Sequence, residues 1–296
     1  MNSVHLSAIE YVHGKREKLS ALDEEMPVDL SLPMHGLAHY RISEQQIGEL
    51  AAMAGERCLA AAGEAPDLLI YVSEDDSQMP ASLAKIADRL GLPTVAHLSM
   101  SGHDCGNLGP ALRTAGDALG SGRHERAMLI LSDRALPGGR VMKNGMSVFS
   151  DGAAACLVTR EDPGTAGPRF VVESVTTRAD FRTVPPERAM LAKAELATAC
   201  VAELRAGTGH RPKDFQHVVF GNYRISAQRF LTAAMGFPAR SLLLGEIADL
   251  GHCSSDLLVT LRQRADDGSI GAGSRVLGAA IGPYSWSLLS MELRHG

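Results

Sequence analysis

The sequence predicts an α/β protein in which two similar halves form alternating layers of helix and sheet. Strand-like and helical segments alternate along the 296 residues, and most of the strand-like segments are apolar throughout. Continuous apolar strands are typical of mixed or parallel sheets that helices cover on both faces. The order of elements also repeats after about half of the chain, which indicates a duplication and a pseudo-twofold fold. We therefore expect two halves, residues 1–161 and 168–296.

The first half is bounded by clear start and stop signals. Ser43, followed three residues later by Gln46, is a typical N-cap for an amphipathic helix. Gly91 and Pro93 end the next helix, because neither residue continues a helix well. The predicted elements are strands at 4–12, 68–72, 94–100, 127–131 and 153–158, and helices at 43–62, 82–90 and 108–120.

A linker rich in Pro and Gly, at 162–168, precedes the second half, where the pattern begins again. Gly236 and Pro238 end a helix there, in the same way as Gly91 and Pro93 in the first half. The predicted elements are strands at 170–175, 215–220, 276–281 and 285–293, and helices at 187–206, 227–235 and 256–266.

Composition excludes several classes of partner. The net charge is −5, and no long run of Lys or Arg favours a nucleic acid or an anionic membrane. No apolar run reaches the roughly 20 residues that span a bilayer, and the N-terminus is too polar for a signal peptide. Five widely spaced cysteines without a CxxC pair predict reduced thiols in a cytoplasmic protein.

One cysteine lies in a position that favours chemistry. Cys105 follows an apolar strand, sits in a turn flanked by glycines, and precedes a helix. Unpaired N–H groups at a helix start favour a thiolate, which a nearby histidine can activate as a nucleophile. The turn at Gly102-His103 corresponds to Gly251-His252 in the second half. Because equivalent loops meet near a pseudo-twofold axis, we expect Cys105 to lie close to His252.

Five short motifs follow one another along the chain. They are the turn Cys105-Gly106 with Ala111-Leu112, the pair Ser132-Asp133, the run Phe149-Ser150-Asp151-Gly152-Ala153, the run Asn222-Tyr223-Arg224-Ile225, and the run Gly282-Pro283-Tyr284-Ser285-Trp286. In this order and at this spacing they resemble the motifs of ketoacyl-ACP synthase III, a branch of the thiolase superfamily. The resemblance implies a thiolase-like α-β-α-β-α layered fold. It also implies that a thioester acylates Cys105, and that the N–H groups of Cys105 and Gly282 bind the oxyanion.

The resemblance further suggests partners and a pocket. An acyl carrier protein or CoA thioester would be the substrate, with no other cofactor and no metal. A carrier is the more natural donor, because the family's Trp-containing CoA-contacting motif is missing, and Arg224 and Arg229 would meet it. Four residues are assigned to the acyl or acceptor pocket: Met79, His217, Val219 and Asn222. The glycine-rich loop 137–147 would lie at the contact of a homodimer, or of a heterodimer with a paralogue.

Two departures from the family pattern change the expected chemistry. The family histidine falls on Val219, and the family asparagine falls on His252. Decarboxylation of a malonyl group needs two donors aimed at the developing enolate, and one of them is absent. His217, two residues before Val219, is a weak substitute. We therefore favour acyl transfer by a Cys105–His252 dyad, within specialised metabolite biosynthesis.

Three other readings stay open at this point. The protein could be a condensing ketosynthase, with or without decarboxylation, or a catalytically inactive partner subunit of a heterodimeric ketosynthase. If the two turns meet, a zinc site is also conceivable. Its ligands would be His103, Cys105, His252 and Cys253.

Overall fold

The computed structural model describes residues 3–183, 185 and 188–294. The strands are β1 Val4–His13, β2 Lys15–Lys18, β3 His39–Ile42, β4 Leu68–Val72, β5 Ala96–Met100, β6 Arg126–Asp133, β7 Gly152–Thr159, β8 Arg169–Ala179, β9 His217–Phe220, β10 Arg275–Ile281 and β11 Ser285–Arg294. The helices are α1 Ile47–Ala62, α2 Met79–Arg89, α3 Leu108–Gly120, α4 Ala189–Thr208, α5 Ile225–Ala234, α6 Ile247–Leu250 and α7 Asp256–Asp266.

Most predicted elements are present with shifted ends. The helix predicted at 187–206 is α4, Ala189–Thr208, and residue 187 lies outside the described residues. The short antiparallel pair of β2 and β3 was not predicted, since residues 13–40 were read as irregular. The β2 sequence Lys-Arg-Glu-Lys has no apolar alternation, so it carries no strand signal. Within the part of the chain that is described, no helix has the length and hydropathy needed to cross a bilayer.

Nine strands form one sheet in which the two halves have matching pairings. The order is β5-β4-β6-β7-β1-β8-β11-β10-β9. In the first half β4 is parallel to β6, and β7 is antiparallel to both β6 and β1. In the second half β9 is parallel to β10, and β11 is antiparallel to both β10 and β8. A short antiparallel pairing of β1 with β8 joins the halves. The boundaries at 161 and 168 remain a prediction.

Helices form three layers around this sheet. α3 packs against β4 and β6 of the first half and also against β8 and β11 of the second. α7 packs against β9 and β10 as well as β1 and β7, so both helices lie between the two halves. α1 and α2 cover the outer face of the first half, and α4 and α5 cover that of the second. This arrangement confirms the α-β-α-β-α layering that the sequence predicts.

The central layer holds the largest core and fixes the start of α3. Leu108 and Leu112 of α3 and Leu257 and Leu258 of α7 belong to one buried cluster with strands of both halves. Gly109 lies so close to β11 that a Cβ atom there would overlap the Ser287 side chain. A glycine at this position therefore lets the helix that follows the cysteine turn pack against the opposite half.

We predict that Gly109→Ala destabilises the protein by about 1–3 kcal/mol, because the added methyl group forces α3 and β11 apart. Gly120→Ala, in the same helix, is the matched control, since nothing lies within 4 Å of its Cβ position. The control should be neutral or slightly stabilising. Denaturant unfolding of both variants measures the difference, and equal stabilities would contradict the close approach.

Candidate active site

The cysteine turn lies where three parallel strands end. β4, β5 and β6 run in the same direction, so the loops after them are neighbours at one edge of the sheet. Cys105 lies in a 3₁₀ turn, Asp104–Gly106, directly before α3. Asp104 has a φ of +49°, a left-handed conformation that few residues other than glycine adopt. Such backbone needs support from its surroundings.

Glu74, from the loop after β4, supplies that support. One carboxylate oxygen, Oε1, accepts four hydrogen bonds of 2.5–2.8 Å from the turn. The donors are the N–H groups of Gly102, His103 and Asp104 and the Nδ2 group of Asn107. A single carboxylate therefore fixes the backbone before Cys105 and the Asn107 side chain after it.

The histidine turn of the second half is bound to the first half through its backbone. The His252 N–H donates to the Val148 carbonyl at 2.8 Å, and the His252 carbonyl accepts from the Ser150 N–H at 2.7 Å. Gly251 has a φ of +60°, and a Cβ atom there would lie 2.6 Å from Ser150 Oγ. A side chain at Gly251 would thus displace the turn.

Cys105, His252 and Asp256 form a continuous hydrogen-bonded triad. His252 Nε2 lies 2.9 Å from Cys105 Sγ, and His252 Nδ1 lies 2.6 Å from Asp256 Oδ2. His252 and Asp256 are buried, whereas Cys105 is half-buried and reaches the cavity described below. Asp256 Oδ2 also accepts the Asn222 N–H at 2.6 Å, which holds the carboxylate in place. The arrangement is that of a thiol, a base and a group that orients the base.

The electrostatics of this triad favour a protonated imidazole. Burial lowers the pKa of His252, but attraction to the Asp256 carboxylate and to Cys105 outweighs burial and holds that pKa well above its ordinary value. Tyr223 packs against the imidazole, with ring centroids 4.7 Å apart, and its hydroxyl donates to the Ile281 carbonyl. Burial raises the pKa of Tyr223 well above its usual range, so this phenol remains a donor.

A cavity of about 710 Å³ opens onto Cys105. Its apolar part is made of residues from both halves: Met142, Met146, Phe149, Phe230, Leu231, Ile281 and Trp286. Acidic side chains line it at the ends of the parallel strands: Glu74, Asp75, Asp104 and Asp133. Basic side chains come from other loops and helices: Lys143, Lys193 and Arg224. The site therefore has room for an acyl group and an acceptor, between walls of different charge.

The predicted role of Gly282 does not fit this geometry. Gly282 lines the cavity beside the cysteine turn, but its N–H already donates to the Ser285 carbonyl at 2.8 Å. That N–H is therefore not available to an oxyanion in this conformation. The Cys105 N–H, in contrast, has no acceptor among the described residues and can serve as an oxyanion donor.

The residues assigned to the pocket do not line the cavity. Val219 is fully buried in the central core, and His217 lies at the opposite end of the short strand β9 from the active-site turn. Met79 packs against the outer core of the first half, beneath α1. Asn222 is buried and acts through its backbone N–H on Asp256. Family position suggested Met79, Val219 and Asn222, and the two-residue spacing from Val219 suggested His217. Neither signal determines whether a side chain reaches the cavity.

The two arginines assigned to carrier contact lie in different surroundings. Arg224 lines the cavity, and its backbone N–H donates to the Met146 carbonyl at 2.7 Å. Arg229 is exposed on α5, one residue before Phe230, which does line the cavity. Arg229 is exposed and Arg224 is half-buried, and their contact with a carrier stays a prediction.

Sequence reasoning missed three functional residues, namely Asp256, Tyr223 and Glu74. Asp256 is the first residue of α7 and His252 lies in the turn before that helix, so no helical spacing pointed to their contact. Tyr223 and Glu74 had no signal either, since their contacts are to residues far away in the chain.

The four residues considered for zinc are not assembled as ligands. His103 Nδ1 lies 2.9 Å from Ser285 Oγ, and Cys253 Sγ lies 2.9 Å from Ser255 Oγ. Among residues 3–183, 185 and 188–294, no group of three or more His, Cys, Asp or Glu side chains is placed to hold a metal ion.

Comparison with known sequences finds two relatives that carry the same name, and no family profile matches the chain. Beta-ketoacyl-[acyl-carrier-protein] synthase III 2 of Streptomyces coelicolor is 28% identical over 251 residues, which cover 79% of this chain and 75% of the relative. The protein of that name from Streptomyces avermitilis is 34% identical over 100 residues, covering 32% of this chain and 31% of the relative.

Comparison with solved structures finds the same fold over nearly the whole chain. ChlB3, described as an acyltransferase, aligns with a TM-score of 0.84 at 17% identity, covering 99% of this chain and 98% of ChlB3. FabH of Pseudomonas aeruginosa, a 3-oxoacyl-(acyl carrier protein) synthase III, aligns with a TM-score of 0.81 at 17% identity, covering 100% of this chain and 99% of FabH. OleA of Xanthomonas campestris with bound lauric acid and lauroyl-CoA aligns with a TM-score of 0.78 at 15% identity, covering 98% of this chain and 99% of OleA.

We predict that Asp256→Asn slows the alkylation of Cys105 by iodoacetamide at pH 7 by about tenfold or more. The protonated His252 ring, which stabilises a thiolate, is present below its raised pKa and is lost as pH rises through it. Removal of the Asp256 charge lowers that pKa, and once the pKa lies below the pH, each further unit reduces the protonated fraction of His252 tenfold. The rate is measured by mass spectrometry between pH 5 and 9.

Asp266→Asn is the matched control for this substitution. It removes the same charge from the far end of α7, where the carboxylate is exposed. In the control variant, iodoacetamide should alkylate Cys105 at the wild-type rate. An equal loss of rate in both variants would assign the effect to net charge, not to the triad.

Proposed function

We propose that this chain, a ketoacyl-ACP synthase III-like member of the thiolase superfamily, is an acyltransferase that carries its acyl group on Cys105. The observation that carries the proposal is the triad, in which Cys105, His252 and Asp256 are joined by contacts of 2.9 and 2.6 Å. A nucleophile, a base and an orienting carboxylate are the set that acyl transfer through a covalent intermediate requires.

The geometry supports a two-step transfer. In the first step Cys105 Sγ attacks the carbonyl carbon of a thioester, a new C–S bond forms, and the donor's C–S bond breaks. The departing thiol takes a proton from His252. In the second step His252 Nε2 removes a proton from the acceptor, the acceptor attacks the acyl carbon, and the Cys105 C–S bond breaks. The Cys105 N–H faces the oxyanion in both steps.

Two features disfavour decarboxylative condensation. Val219 occupies the position of the family histidine and is buried in the core, so it cannot polarise a malonyl carbonyl. The cavity wall near Cys105 also carries Glu74, Asp75 and Asp104, which repel the free carboxylate of a malonyl donor. Because the changed pair of donors departs from the pattern of the condensing family, it supports a role in specialised metabolite biosynthesis as opposed to bulk fatty-acid synthesis.

The charge of the cavity mouth supports an anionic donor. Lys143, Lys193 and Arg224 line it, and Arg229 is exposed nearby on α5. Acyl carrier proteins and CoA both present a thioester on a phosphate-bearing arm, and basic side chains bind phosphate well. We favour the carrier protein, because Arg229 lies outside the cavity, where only a protein-sized donor would contact it.

A dimer also stays a proposal. β5 is an edge strand of the sheet, and none of its residues is buried. Edge strands with free backbone groups are ready to pair with another chain. Pairing through β5 would suit either a homodimer or a heterodimer with a paralogue.

We predict that incubation with a panel of acyl-carrier and acyl-CoA thioesters adds one acyl group to the protein, located on Cys105. Intact-protein and peptide mass spectrometry measure the adduct. Cys105→Ala should abolish it, and His252→Ala should slow its formation by at least about a hundredfold. Malonyl thioesters should yield no 3-ketoacyl product with the acyl-enzyme.

Other results would select the other functions. A 3-ketoacyl product from a malonyl donor would show a condensing enzyme. Absence of any adduct, with Cys105 no more reactive to iodoacetamide than a free thiol, would show an inactive partner subunit.

We predict that Arg229→Glu raises the concentration of acyl carrier protein needed for half-maximal acylation of Cys105, by roughly tenfold. Reversal of the charge turns an attraction to the acidic carrier into a repulsion. Acylation by the small N-acetylcysteamine thioester, which has no phosphate, should be unchanged. An equal effect on both donors would contradict carrier contact at α5.

A further inference from the structure

The cavity contains two buried polar side chains that the proposed mechanism does not use. Asp133 ends β6 and is 8% exposed, and Ser254, two residues after His252, is 7% exposed. Both line the cavity. The Ser254 N–H donates to Asp133 Oδ2 at 2.5 Å, so the two side chains are held together beside the triad.

The remaining polar atoms of this pair are not satisfied within the protein. Asp133 Oδ1 and Ser254 Oγ make no hydrogen bond of normal geometry with any described residue. Burial raises the pKa of Asp133. The Ser254 hydroxyl lies near enough to the carboxylate to oppose that rise. Buried polar atoms without partners are costly, and when they line a cavity they are ready to bind a ligand.

The charge around the pair indicates what kind of ligand fits. Asp75, Glu74 and Asp104 line the same cavity. Although Asp75 keeps contact with solvent, burial of its carboxylate and then repulsion from Asp133, Glu74 and Asp104 raise its pKa to about 7. The carboxylate of Glu74 accepts four hydrogen bonds, whereas that of Asp133 accepts one. A bound cation would relieve this repulsion, and an anion would increase it.

We propose that the acceptor carries a primary ammonium group, which donates hydrogen bonds to Asp133 Oδ1 and Ser254 Oγ. This inference rests on the proposed acyl transfer and names the class of acceptor. Amino alcohols and diamines are of this class, since they hold a second nucleophilic group that His252 can deprotonate. An ammonium group supplies up to three donors, and hydrogen bonds between charged partners are the strong ones.

The first experiment measures the cation preference without acyl transfer. Resting enzyme is treated with 2-aminoethyl or 2-sulfonatoethyl methanethiosulfonate, and the rate of reaction at Cys105 is measured for each reagent. Each rate is divided by the rate at which the same reagent reacts with glutathione, which corrects for the intrinsic reactivity of the reagent. The cationic reagent should react at least about tenfold faster by this measure. Asp133→Asn should reduce the ratio several-fold. Asp88→Asn, which removes an exposed carboxylate from α2, should leave it unchanged.

The second experiment uses acceptors of the same shape. Acyl-Cys105 enzyme is mixed with 3-amino-1-propanol or with 1,3-propanediol at pH 7, and loss of the acyl group is followed by mass spectrometry. The amino alcohol should react at least about tenfold faster, as expected for a charged hydrogen bond at a buried site. Asp133→Asn and Ser254→Ala should both reduce this preference, and circular dichroism checks that each variant is folded.

The two experiments separate the inference from the function on which it rests. If acyl-Cys105 forms but the diol reacts as fast as the amino alcohol, acyl transfer stands and the ammonium site is wrong. If acyl-Cys105 does not form, acyl transfer is wrong, and the thiol reagents alone decide the cation site. A reagent ratio near one, or an equal effect of Asp133→Asn and Asp88→Asn, overturns the ammonium site.

Discussion

The hydrogen bond between Cys105 and His252 is the interaction on which the rest of the site depends, and it crosses from one half of the chain to the other. Glu74 of its own half supports the cysteine turn, and each turn is also bonded to the half that does not contain it. His103 of the cysteine turn contacts Ser285, and the His252 turn is bonded to Val148 and Ser150. The 2.9 Å contact therefore depends on the packing of the two halves across the central layer. Substitutions far from the sulfur that separate α3 from β11 would also change it.

Asp256 is the residue that links the exchange of residues at this site to the chemistry proposed for it. Where the resemblance places a histidine, the chain has Val219 in the core, and where it places an asparagine, the chain has His252. Asp256 then lies behind the imidazole, fixed by the Asn222 N–H. Under the proposed function, a base with its own carboxylate takes the place of two neutral donors aimed at an enolate. Such an arrangement would move protons between a thiol and an acceptor but would offer a malonyl carbonyl little support.

The sequence was sufficient for the fold and for the contact of the two turns, because both follow from the length, apolarity and repetition of its elements. It was insufficient where function depends on the direction of individual groups. The Gly282 N–H bonds to Ser285, a detail of a tight turn that residue types do not determine. Met79 faces the outer core and not the cavity. Glu74 contacts the cysteine turn, which lies about thirty residues further along the sequence, and no local sequence pattern predicts such a contact.

The acidic wall follows from topology. Parallel strands end at one edge of a sheet, so the residues after β4, β5 and β6 must share a small space, and in this chain they include Glu74, Asp75, Asp104 and Asp133. Glu74 is used to hold the cysteine turn, and its hydrogen bonds offset its charge. Asp133 has no such compensation on one oxygen, although burial of a carboxylate is costly. A cationic substrate would supply the missing partner, and the same charge that attracts it keeps a malonyl carboxylate away from Cys105. Acceptor choice and the loss of condensation would then have one electrostatic cause.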